Sequence, residues 1–351
     1  MQNTGLIDLY KTNDLFSGLG QFSFHLGTQL MQSHSDIPLH FLLPGSEVAG
    51  LFRAKAPHRF TFANFQKRYL PALNPAYTFW HSTQQFPSFM PHKRSLQILT
   101  IHDLNFLSSK TQNKARSYMK KLQENIDRSE IITTISNFTR TEIEKHLNLK
   151  NKTISVIYNG IPDPCAQTQL RPAWLGDAPF FFSVGVFKAT KNFHSLLPLM
   201  QYFPDFQLVI AGNNNSVYGR EIIEYIEQND LKDKVFLPGI LSEAEKNWLY
   251  ANCSAFVFPS LAEGFGMPLA EAMKAGCPVF SSKLSSLPEI GGDSVYYFES
   301  FAADDMKDTI LAGLDDFNKN STARKAAMAA QAYQFNWHNC ATSYAAIYRA
   351  I

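Results

Sequence analysis

Apolar and polar positions form blocks along the chain that predict strands and helices in alternation. Short, almost wholly apolar runs such as residues 96–101 are typical of strands buried in a parallel sheet. Amphipathic or polar segments follow such runs, for example residues 111–127, and predict helices that cover the sheet. This alternation favours parallel sheets with helices on their faces, which is an α/β fold.

The pattern runs twice and therefore predicts two doubly wound, Rossmann-like domains. In the first run, strands are predicted at 4–10, 38–44, 96–101, 130–136 and 153–160, with helices at 17–32, 111–127 and 137–147. In the second run, strands are predicted at 180–185, 206–212, 235–239, 255–260, 278–282 and 294–298, with helices at 191–200, 219–228, 242–253, 269–275 and 322–333. The proline-rich residues 161–179 are interpreted as the linker. We expect domains at 1–165 and 166–333 that face one another across a cleft.

Length and composition agree with this organisation. A chain of 351 residues is long for a single core, so two domains are expected. The sequence contains no run of about 18 apolar residues, so no membrane-spanning helix is expected. The N-terminal residues do not resemble a signal peptide. The four cysteines are isolated, which indicates neither a zinc site nor a disulfide framework and favours a reducing compartment. We therefore expect a cytoplasmic protein.

Charge is distributed unevenly along the chain. The net charge of +2 is the sum of +7 in residues 1–165 and −5 in residues 166–351. Residues 51–70 hold five basic side chains, five aromatic ones and no acidic one. This segment is either a solvated surface or a contact to an anionic substrate or to the inner face of a membrane. The basic runs are too short to favour nucleic acid.

The densest chemical pattern is "PSLAEGFGMPLAEAMKAGCPVFSS", residues 259–282. Glu263 directly follows a predicted strand, where ligands of open parallel sheets bind. Gly264 and Gly266 allow the backbone to approach a ligand, and Pro268 suits the start of a helix, whose free N–H groups attract anions. Glu271 is placed in the first helical turn. A carboxylate accepts hydrogen bonds from both hydroxyls of a diol, so a phosphate site between two carboxylates fits a nucleotide sugar.

Each of these features alone has a plain structural explanation. A glutamate near a helix start is favoured by the helix dipole, and Gly-Phe-Gly can be no more than a tight turn. Their combination on one strand–loop–helix favours the binding interpretation. Glu271 would then hold the ribose hydroxyls and Glu263 the hydroxyls of the transferred sugar.

The same stretch resembles the signature of retaining glycosyltransferase family 4, enzymes of the GT-B architecture. The resemblance extends over nearly the whole chain. It is carried by "FFSVGVFKATKNFHSLL", "LVIAGNNN", the long block from "KVFLPGILSEAEKNWLYANC" to "SVYYF", and, less specifically, "LTIHDLNFL", "IITTISNFTRTEI" and "ISVIYNGI". It implies that residues 334–351 form a helix crossing back to the first domain. Overall likeness is greatest to bacterial mannosyltransferases of polysaccharide biosynthesis.

The resemblance also assigns roles to individual residues. Lys191 would neutralise the donor diphosphate. Thr190 stands where the family often has arginine, and Lys188 is the alternative phosphate contact. His102 would approach the donor sugar. The remaining donor-binding residues implied by the resemblance are Gly18 and Gly20 in a first glycine loop, Gly264, Phe265, Gly266, Met267 and Pro268 in the donor loop, and Gly239 and Ile240 beside the nucleobase.

The expected activity is metal-independent, cofactor-free transfer of a hexose, with retention, from a nucleotide-diphospho-sugar to a glycan or lipid-linked glycan. GDP-mannose is the first choice of donor, with UDP-glucose or another UDP-hexose as the alternative. The absence of any Asp-x-Asp sequence removes the most obvious pair of metal-holding carboxylates. A nucleotide-sugar 2-epimerase and an inactive sugar-binding subunit are the other classes. An epimerase needs acid–base residues for epimerisation, and the full Glu263–Glu271 block argues against it. An inactive subunit conflicts with the presence of all four residues Glu263, Lys191, Glu271 and His102.

Overall fold

The computed structural model describes residues 4–52, 57–162 and 168–351. It divides into two compact units: Met1–Gly160 with Phe335–Ile351 form unit 1, and Ile161–Gln334 form unit 2. The predicted boundary between residues 165 and 166 lies outside the described residues, as do Cys165 and part of the predicted linker.

Unit 1 contains a seven-stranded sheet in which all strands are parallel. Its strands are β1 (Gly5–Asp8), β2 (Leu39–Leu43), β3 (Arg59–Phe62), β4 (Phe79–Ser82), β5 (Leu96–Ile101), β6 (Ile131–Thr134) and β7 (Ile154–Val156). They lie in the order β3-β2-β1-β4-β5-β6-β7. The carboxyl ends of parallel strands meet at one edge of the sheet, so the loops after β1, β4 and β5 are neighbours.

Helices connect the strands of unit 1. They are α1 (Gly18–Ser33), α2 (Ser46–Ala49), α3 (Phe65–Tyr69), α4 (Phe106–Ser109), α5 (Gln112–Arg128) and α6 (Asn137–His146). Gly18 and Gly20 both lie in the first turn of α1, where the Ser17 hydroxyl accepts a hydrogen bond from the Gly20 N–H over 3.1 Å. A Cβ atom on Gly20 would lie 1.8 Å from the carbonyl oxygen of Asp14. Close packing of the preceding loop therefore requires this glycine.

Unit 2 contains a second wholly parallel sheet, of six strands. They are β8 (Phe180–Val184), β9 (Gln207–Ala211), β10 (Val235–Phe236), β11 (Ala255–Phe258), β12 (Val279–Ser282) and β13 (Tyr296–Phe298). Their order is β10-β9-β8-β11-β12-β13. The helices are α7 (Val217–Gln228), α8 (Glu243–Asn252), α9 (Met267–Ala275), α10 (Leu287–Gly291), α11 (Ala303–Lys319) and α12 (Ser321–Tyr333).

The C-terminal helix α13 (Trp337–Arg349) belongs to unit 1. Its inner face is apolar and aromatic, and it packs along α1. Tyr344 and Tyr348 reach the centre of the unit, where the Tyr348 hydroxyl lies 2.7 Å from His81 Nδ1. The last 17 residues therefore complete the core of the unit that holds the N-terminus.

The structure differs from the predicted elements at several places. The predicted helix over 191–200 is instead a series of 3₁₀ turns, because Asn192 has left-handed dihedrals (φ 57°) and Pro198 cannot continue a hydrogen-bonded helix. The strand predicted over 235–239 ends at Phe236, ahead of Pro238 and of Gly239 at φ 77°. Strands β3 and β4, the short helices α2, α3, α4 and α10, and helix α11 were not predicted.

Candidate active site

Glu263 lies in the loop after β11 and is held by three serines. The Ser260 hydroxyl donates to Glu263 Oε1 over 2.6 Å. The Glu263 backbone N–H donates to Ser285 Oγ over 3.0 Å, and its carbonyl accepts from the Ser286 hydroxyl over 3.1 Å. These bonds fix the carboxylate at the carboxyl end of a central strand of unit 2.

Lys191 is brought to the same point from the loop after β8. Its Nζ lies 2.5 Å from Glu263 Oε1, and the two side chains are only 17% and 13% exposed. The ammonium also lies 5.1 Å from the centre of the Phe258 ring, a cation–π contact. A Cβ atom on Gly185 would lie 3.2 Å from Lys191 Cε, so the lysine stem runs close over this glycine. The two residues that the sequence predicted as catalytic partners in this unit therefore form one largely desolvated ion pair.

Thr190 joins the Lys191 loop to the Glu263 loop through its main chain. Its carbonyl oxygen accepts from the Leu261 N–H over 2.7 Å and lies 3.1 Å from the Ser260 hydroxyl oxygen, whose one proton is shared with the closer Glu263 Oε1. Position 190, where the resemblance leads one to expect arginine, thus supplies a carbonyl that holds the loop. Lys188 is exposed, and its carbonyl accepts from the Lys191 N–H over 2.8 Å.

The loop ahead of α9 is tightly packed. The loop residues Gly264, Phe265 and Gly266 are all buried. Gly266 has φ 96° and ψ 51°, a conformation that glycine adopts readily, and a Cβ atom there would lie 2.6 Å from Leu287 Cδ2. Met267 is the first residue of α9, and Pro268 lies in its first turn, as predicted from its missing N–H.

The position predicted for Glu271 was wrong in one respect. Because α9 begins at Met267, its first turn contains no acidic residue and Glu271 lies just beyond that turn. The hydroxyl of Tyr250 on α8 donates to Glu271 Oε2 over 2.8 Å, and Lys246 Nζ lies 3.7 Å from Oε1. Neither partner was predicted from the sequence, although Lys246 and Tyr250 are four residues apart on α8 and therefore lie on one face of the helix.

The loop after β10 lies beside the loops after β8 and β9. The Gly212 N–H donates to the Gly239 carbonyl over 2.8 Å, and the Gly185 N–H donates to the Ala211 carbonyl over 2.9 Å. Gly239 has open space where a Cβ atom would lie, and the Ile240 side chain is 48% exposed. Both residues are therefore accessible at the edge of the sheet that also holds Lys191.

His102 lies in unit 1, directly after β5. Its ring is buried against Phe22, with ring centres 4.7 Å apart, and Nε2 lies 2.8 Å from the carbonyl oxygen of Thr83. A carbonyl only accepts, so Nε2 carries the proton and Nδ1 holds the lone pair of the neutral ring. Burial lowers the pKa of His102 to about 4, against the opposing effect of the hydrogen bond to Thr83. At neutral pH this side chain is an acceptor rather than an acid.

Asp8 at the end of β1 is a buried carboxyl group that the sequence analysis did not single out. Its Oδ1 accepts from the Tyr10 N–H over 3.0 Å, and its carbonyl accepts from the Thr83 hydroxyl over 2.5 Å. Burial raises the pKa of Asp8 to about 7, although the hydrogen bond from Tyr10 and the charge of Lys11 lower it. Thr83 therefore links Asp8 to His102 at one edge of the unit 1 sheet.

Within residues 4–52, 57–162 and 168–351, no three His, Cys, Asp or Glu side chains are grouped to hold a metal ion. None of the helices formed by those residues is long and apolar enough to cross a membrane. Cys253, Cys277 and Cys340 are buried free thiols.

Comparison with known proteins identifies the class. The sequence profile described as "Glycosyl transferases group 1" matches residues 169–330, and that described as "Glycosyltransferase Family 4" matches residues 34–163. The crystal structure of Anabaena Alr3699/HepE in complex with UDP and glucose matches 99% of this chain and 100% of its own, with a TM-score of 0.77 and 16% identity. The two family models define a glycosyltransferase, and the likeness of the two Rossmann-like units to this structure shows the GT-B fold.

Relatives with established names point the same way. The O-antigen chain mannosyltransferase B of Escherichia coli is 28% identical over 273 residues, which are 72% of this chain and 70% of that protein. The serotype-specific mannosyltransferase WbdA of Escherichia coli is 27% identical over 70% of this chain, which spans about a third (32%) of WbdA. The chain belongs to the group 1 and family 4 glycosyltransferases. The predicted family, the GT-B fold and the enzyme class, a hexosyltransferase, are confirmed.

Proposed function

We propose that the protein transfers a hexose from a nucleotide-diphospho-sugar to a glycan or lipid-linked glycan, with retention at the anomeric carbon. The observation that carries the proposal is the Lys191–Glu263 pair, whose Nζ and Oε1 atoms lie 2.5 Å apart beside the start of α9. Such a pair offers a cation to a diphosphate and a carboxylate to sugar hydroxyls in one partly desolvated place.

The proposed mechanism needs no metal ion and no cofactor. Lys191 and the N-terminus of α9 would stabilise the negative charge that develops on the departing nucleotide diphosphate. Oε1 of Glu263 already accepts from Ser260 and pairs with Lys191, which suits a positioning carboxylate better than an attacking nucleophile. Substitution would therefore occur on one face of the sugar, with the leaving phosphate assisting deprotonation of the acceptor. His102, whose Nδ1 is an acceptor, would receive a hydrogen bond from a donor-sugar hydroxyl.

GDP-mannose is the proposed donor because the named bacterial relatives are mannosyltransferases. The alternative, UDP-glucose, is supported by the HepE structure, which contains UDP and glucose. Gly239 and the half-exposed Ile240 are the proposed contacts to the nucleobase. A glycan acceptor is favoured by the O-antigen chain activity named for the first relative.

Calorimetric titration with GDP, GDP-mannose, UDP and UDP-glucose tests the donor site. We expect GDP and GDP-mannose to bind at least about tenfold more tightly than the uridine ligands, a difference of about 1.4 kcal/mol. Tighter binding of UDP and UDP-glucose than of GDP and GDP-mannose would indicate a UDP-hexose as the donor. Conversion of the bound donor to its 2-epimer would indicate the epimerase, and absence of binding at millimolar concentration would indicate an inactive subunit and contradict the transferase.

We further propose that the surface around α3 contacts anionic lipid at the inner face of a membrane. Residues 53–56 of the predicted basic segment lie outside the described residues, and Phe52 and His58 are buried, but residues 64–66 and 68–70 are exposed. Phe65 and Tyr69 are 73% and 59% exposed, and the Arg68 guanidinium lies 5.6 Å from the centre of the Tyr69 ring. Residues 48–102 contain no aspartate or glutamate. Exposed aromatic and basic side chains without a carboxylate favour an anionic membrane interface.

Vesicle co-sedimentation tests this contact. Reversing two charges in the double variant Lys67→Glu/Arg68→Glu is expected to lower partitioning onto phosphatidylglycerol vesicles at least about tenfold, since each basic residue contributes about 1 kcal/mol. The matched variant Lys114→Glu/Lys120→Glu reverses two exposed charges on α5 of the same unit. Equal losses in both variants would indicate general charge attraction and contradict a specific surface. Equal binding to phosphatidylcholine would contradict the electrostatic argument.

A further inference from the structure

The carboxylate of Glu271 is held by a second helix, α8, which lies outside the signature stretch 259–282. No functional role was predicted for the side chains of α8. Tyr250 and Lys246 both lie on α8, whereas Glu271 lies on α9. The Tyr250 ring is fully buried and packs against Phe182 and Phe256, with ring centres 5.0 and 5.3 Å away. Its hydroxyl is thereby fixed in place, donating to Glu271 Oε2 over 2.8 Å.

The second partner, Lys246, compensates the charge of the same carboxylate. Its Nζ lies 3.7 Å from Glu271 Oε1 and 3.0 Å from Glu243 Oε2, and its own side chain is 19% exposed. The 3.7 Å separation is an ion pair rather than a hydrogen bond, so Oε1 keeps its lone pairs. Burial lowers the pKa of Lys246, but the nearby carboxylates of Glu271 and Glu243 raise it by more. The net pKa lies above its ordinary value, so the side chain stays cationic.

These contacts leave a definite acceptor pattern on Glu271. Tyr250 occupies one lone pair of Oε2, while the other lone pairs remain for ligand donors. Burial, together with the neighbouring charge of Glu271, raises the pKa of Tyr250 well above its ordinary value, so its hydroxyl donates at every physiological pH. A carboxylate with a fixed plane and a compensated charge suits two adjacent hydroxyls better than a freely rotating one.

We propose that Tyr250 and Lys246 are positioning residues that orient Glu271 to accept both hydroxyls of the donor ribose. The proposal rests on the proposed function, because it requires a nucleotide at this site. It adds that recognition of the ribose diol is shared between α8 and α9. The specific consequence is that removing the Tyr250 hydroxyl matters only when the ligand carries its ribose hydroxyls.

The experiment is a thermodynamic cycle in which the protein variant and the ribose hydroxyls of the ligand are changed separately and together. Calorimetry measures the binding of GDP and UDP and of their 2′,3′-dideoxy counterparts. Tyr250→Phe is expected to weaken binding of the preferred ribonucleotide about tenfold and to leave binding of its dideoxy form within twofold of wild type. Glu271→Gln is expected to show the same pattern, and the double variant should lose little more than Glu271→Gln alone. Lys246→Gln is expected to behave like Tyr250→Phe, with partial recovery in Lys246→Arg.

A matched control lies elsewhere in unit 2. The Tyr296 hydroxyl donates to Asp316 Oδ2 over 2.6 Å, the same chemistry away from the site loops, so Tyr296→Phe should leave all four affinities unchanged. Equal weakening of ribo and dideoxy ligands by Tyr250→Phe would indicate a merely structural role and overturn the proposal, as would an unchanged ribonucleotide affinity. If wild type binds no nucleotide, the proposed function itself fails. If wild type binds and discriminates against the dideoxy form while Tyr250→Phe has no effect, only this inference fails.

Discussion

Replacing Lys191 by alanine is expected to lower the rate of nucleotide release from the bound donor about 10³-fold, with a smaller effect on donor affinity. The structure places the Lys191 ammonium 2.5 Å from Glu263 in a partly desolvated site. A fixed cation in such a site stabilises charge that develops in the transition state, and loss of one such group costs about 10²–10³ in kcat. The measurement is single-turnover donor hydrolysis, or transfer once an acceptor is found.

The matched control for this prediction is Lys188→Ala. Lys188 is three residues away in the same loop but is exposed, and it was the alternative phosphate contact on sequence grounds. We expect its replacement to change the rate less than about tenfold. A large loss in Lys188→Ala with near-normal activity in Lys191→Ala would assign the diphosphate to Lys188 and contradict the prediction.

Loss of Lys191 also leaves Glu263 without its cation, which must be separated from the catalytic effect. Both side chains are less than one fifth exposed, so the unpaired carboxylate should lower the free energy of unfolding, by less than the roughly 3–5 kcal/mol that breaking a fully buried pair costs. The double variant Lys191→Ala/Glu263→Gln removes this charge and should recover stability without recovering activity. If activity were lost only through instability, Lys191→Ala would be fully active at a temperature where it is fully folded, and that result would contradict the catalytic role.

The fold was predictable from sequence wherever an apolar strand stands beside a helix with clear periodicity. The central strands β1, β5, β8 and β11 belong to this group. Strand β4 was missed because its four residues, "FWHS", include a histidine that is buried in the middle of the sheet. His81 is tolerated there because Tyr348 lies 2.7 Å from its Nδ1, and that partner is 267 positions away along the chain. A local pattern contains no information on such a partner.

The candidate site shows the same division. Glu263 and Lys191 were predicted as functional residues, and the structure brings them together although 72 positions separate them. Their supports were not predicted, because the Thr190 carbonyl and the Ser260 hydroxyl act through the packing of one loop on another. The residues of a motif can therefore be predicted from the local sequence. The groups that orient them cannot, because those contacts depend on how neighbouring strands align.

Unit 1 is expected to lose stability as the pH falls from about 6.5 to 4, because two of its buried histidines, His81 and His102, stay neutral in the folded state, although buried Asp8, with its pKa raised to about 7, opposes the loss by binding a proton only in the folded state. Burial, with the additional charge of His102, lowers the pKa of His81 to about 3, and burial lowers that of His102 to about 4. In the unfolded chain both would bind a proton below about pH 6.5. The unfolded state then holds more protons than the folded state, so acid favours unfolding, whereas above pH 6.5 neither histidine contributes to the pH dependence.

The loss of unfolding free energy that unit 1 undergoes on acidification can be estimated from these pKa values. Each unit of pKa difference corresponds to about 1.4 kcal/mol, and the proton bound by folded Asp8 offsets about one of the two histidines, so the net loss by pH 4 is on the order of 3 kcal/mol. Hydrogen exchange of unit 1 amides or urea unfolding at several pH values measures it. His81→Gln should lower the slope of stability against pH by about one proton. A slope that is the same in wild type and His81→Gln would contradict the assignment, since it would place the acid-sensitive proton outside the core that α13 completes.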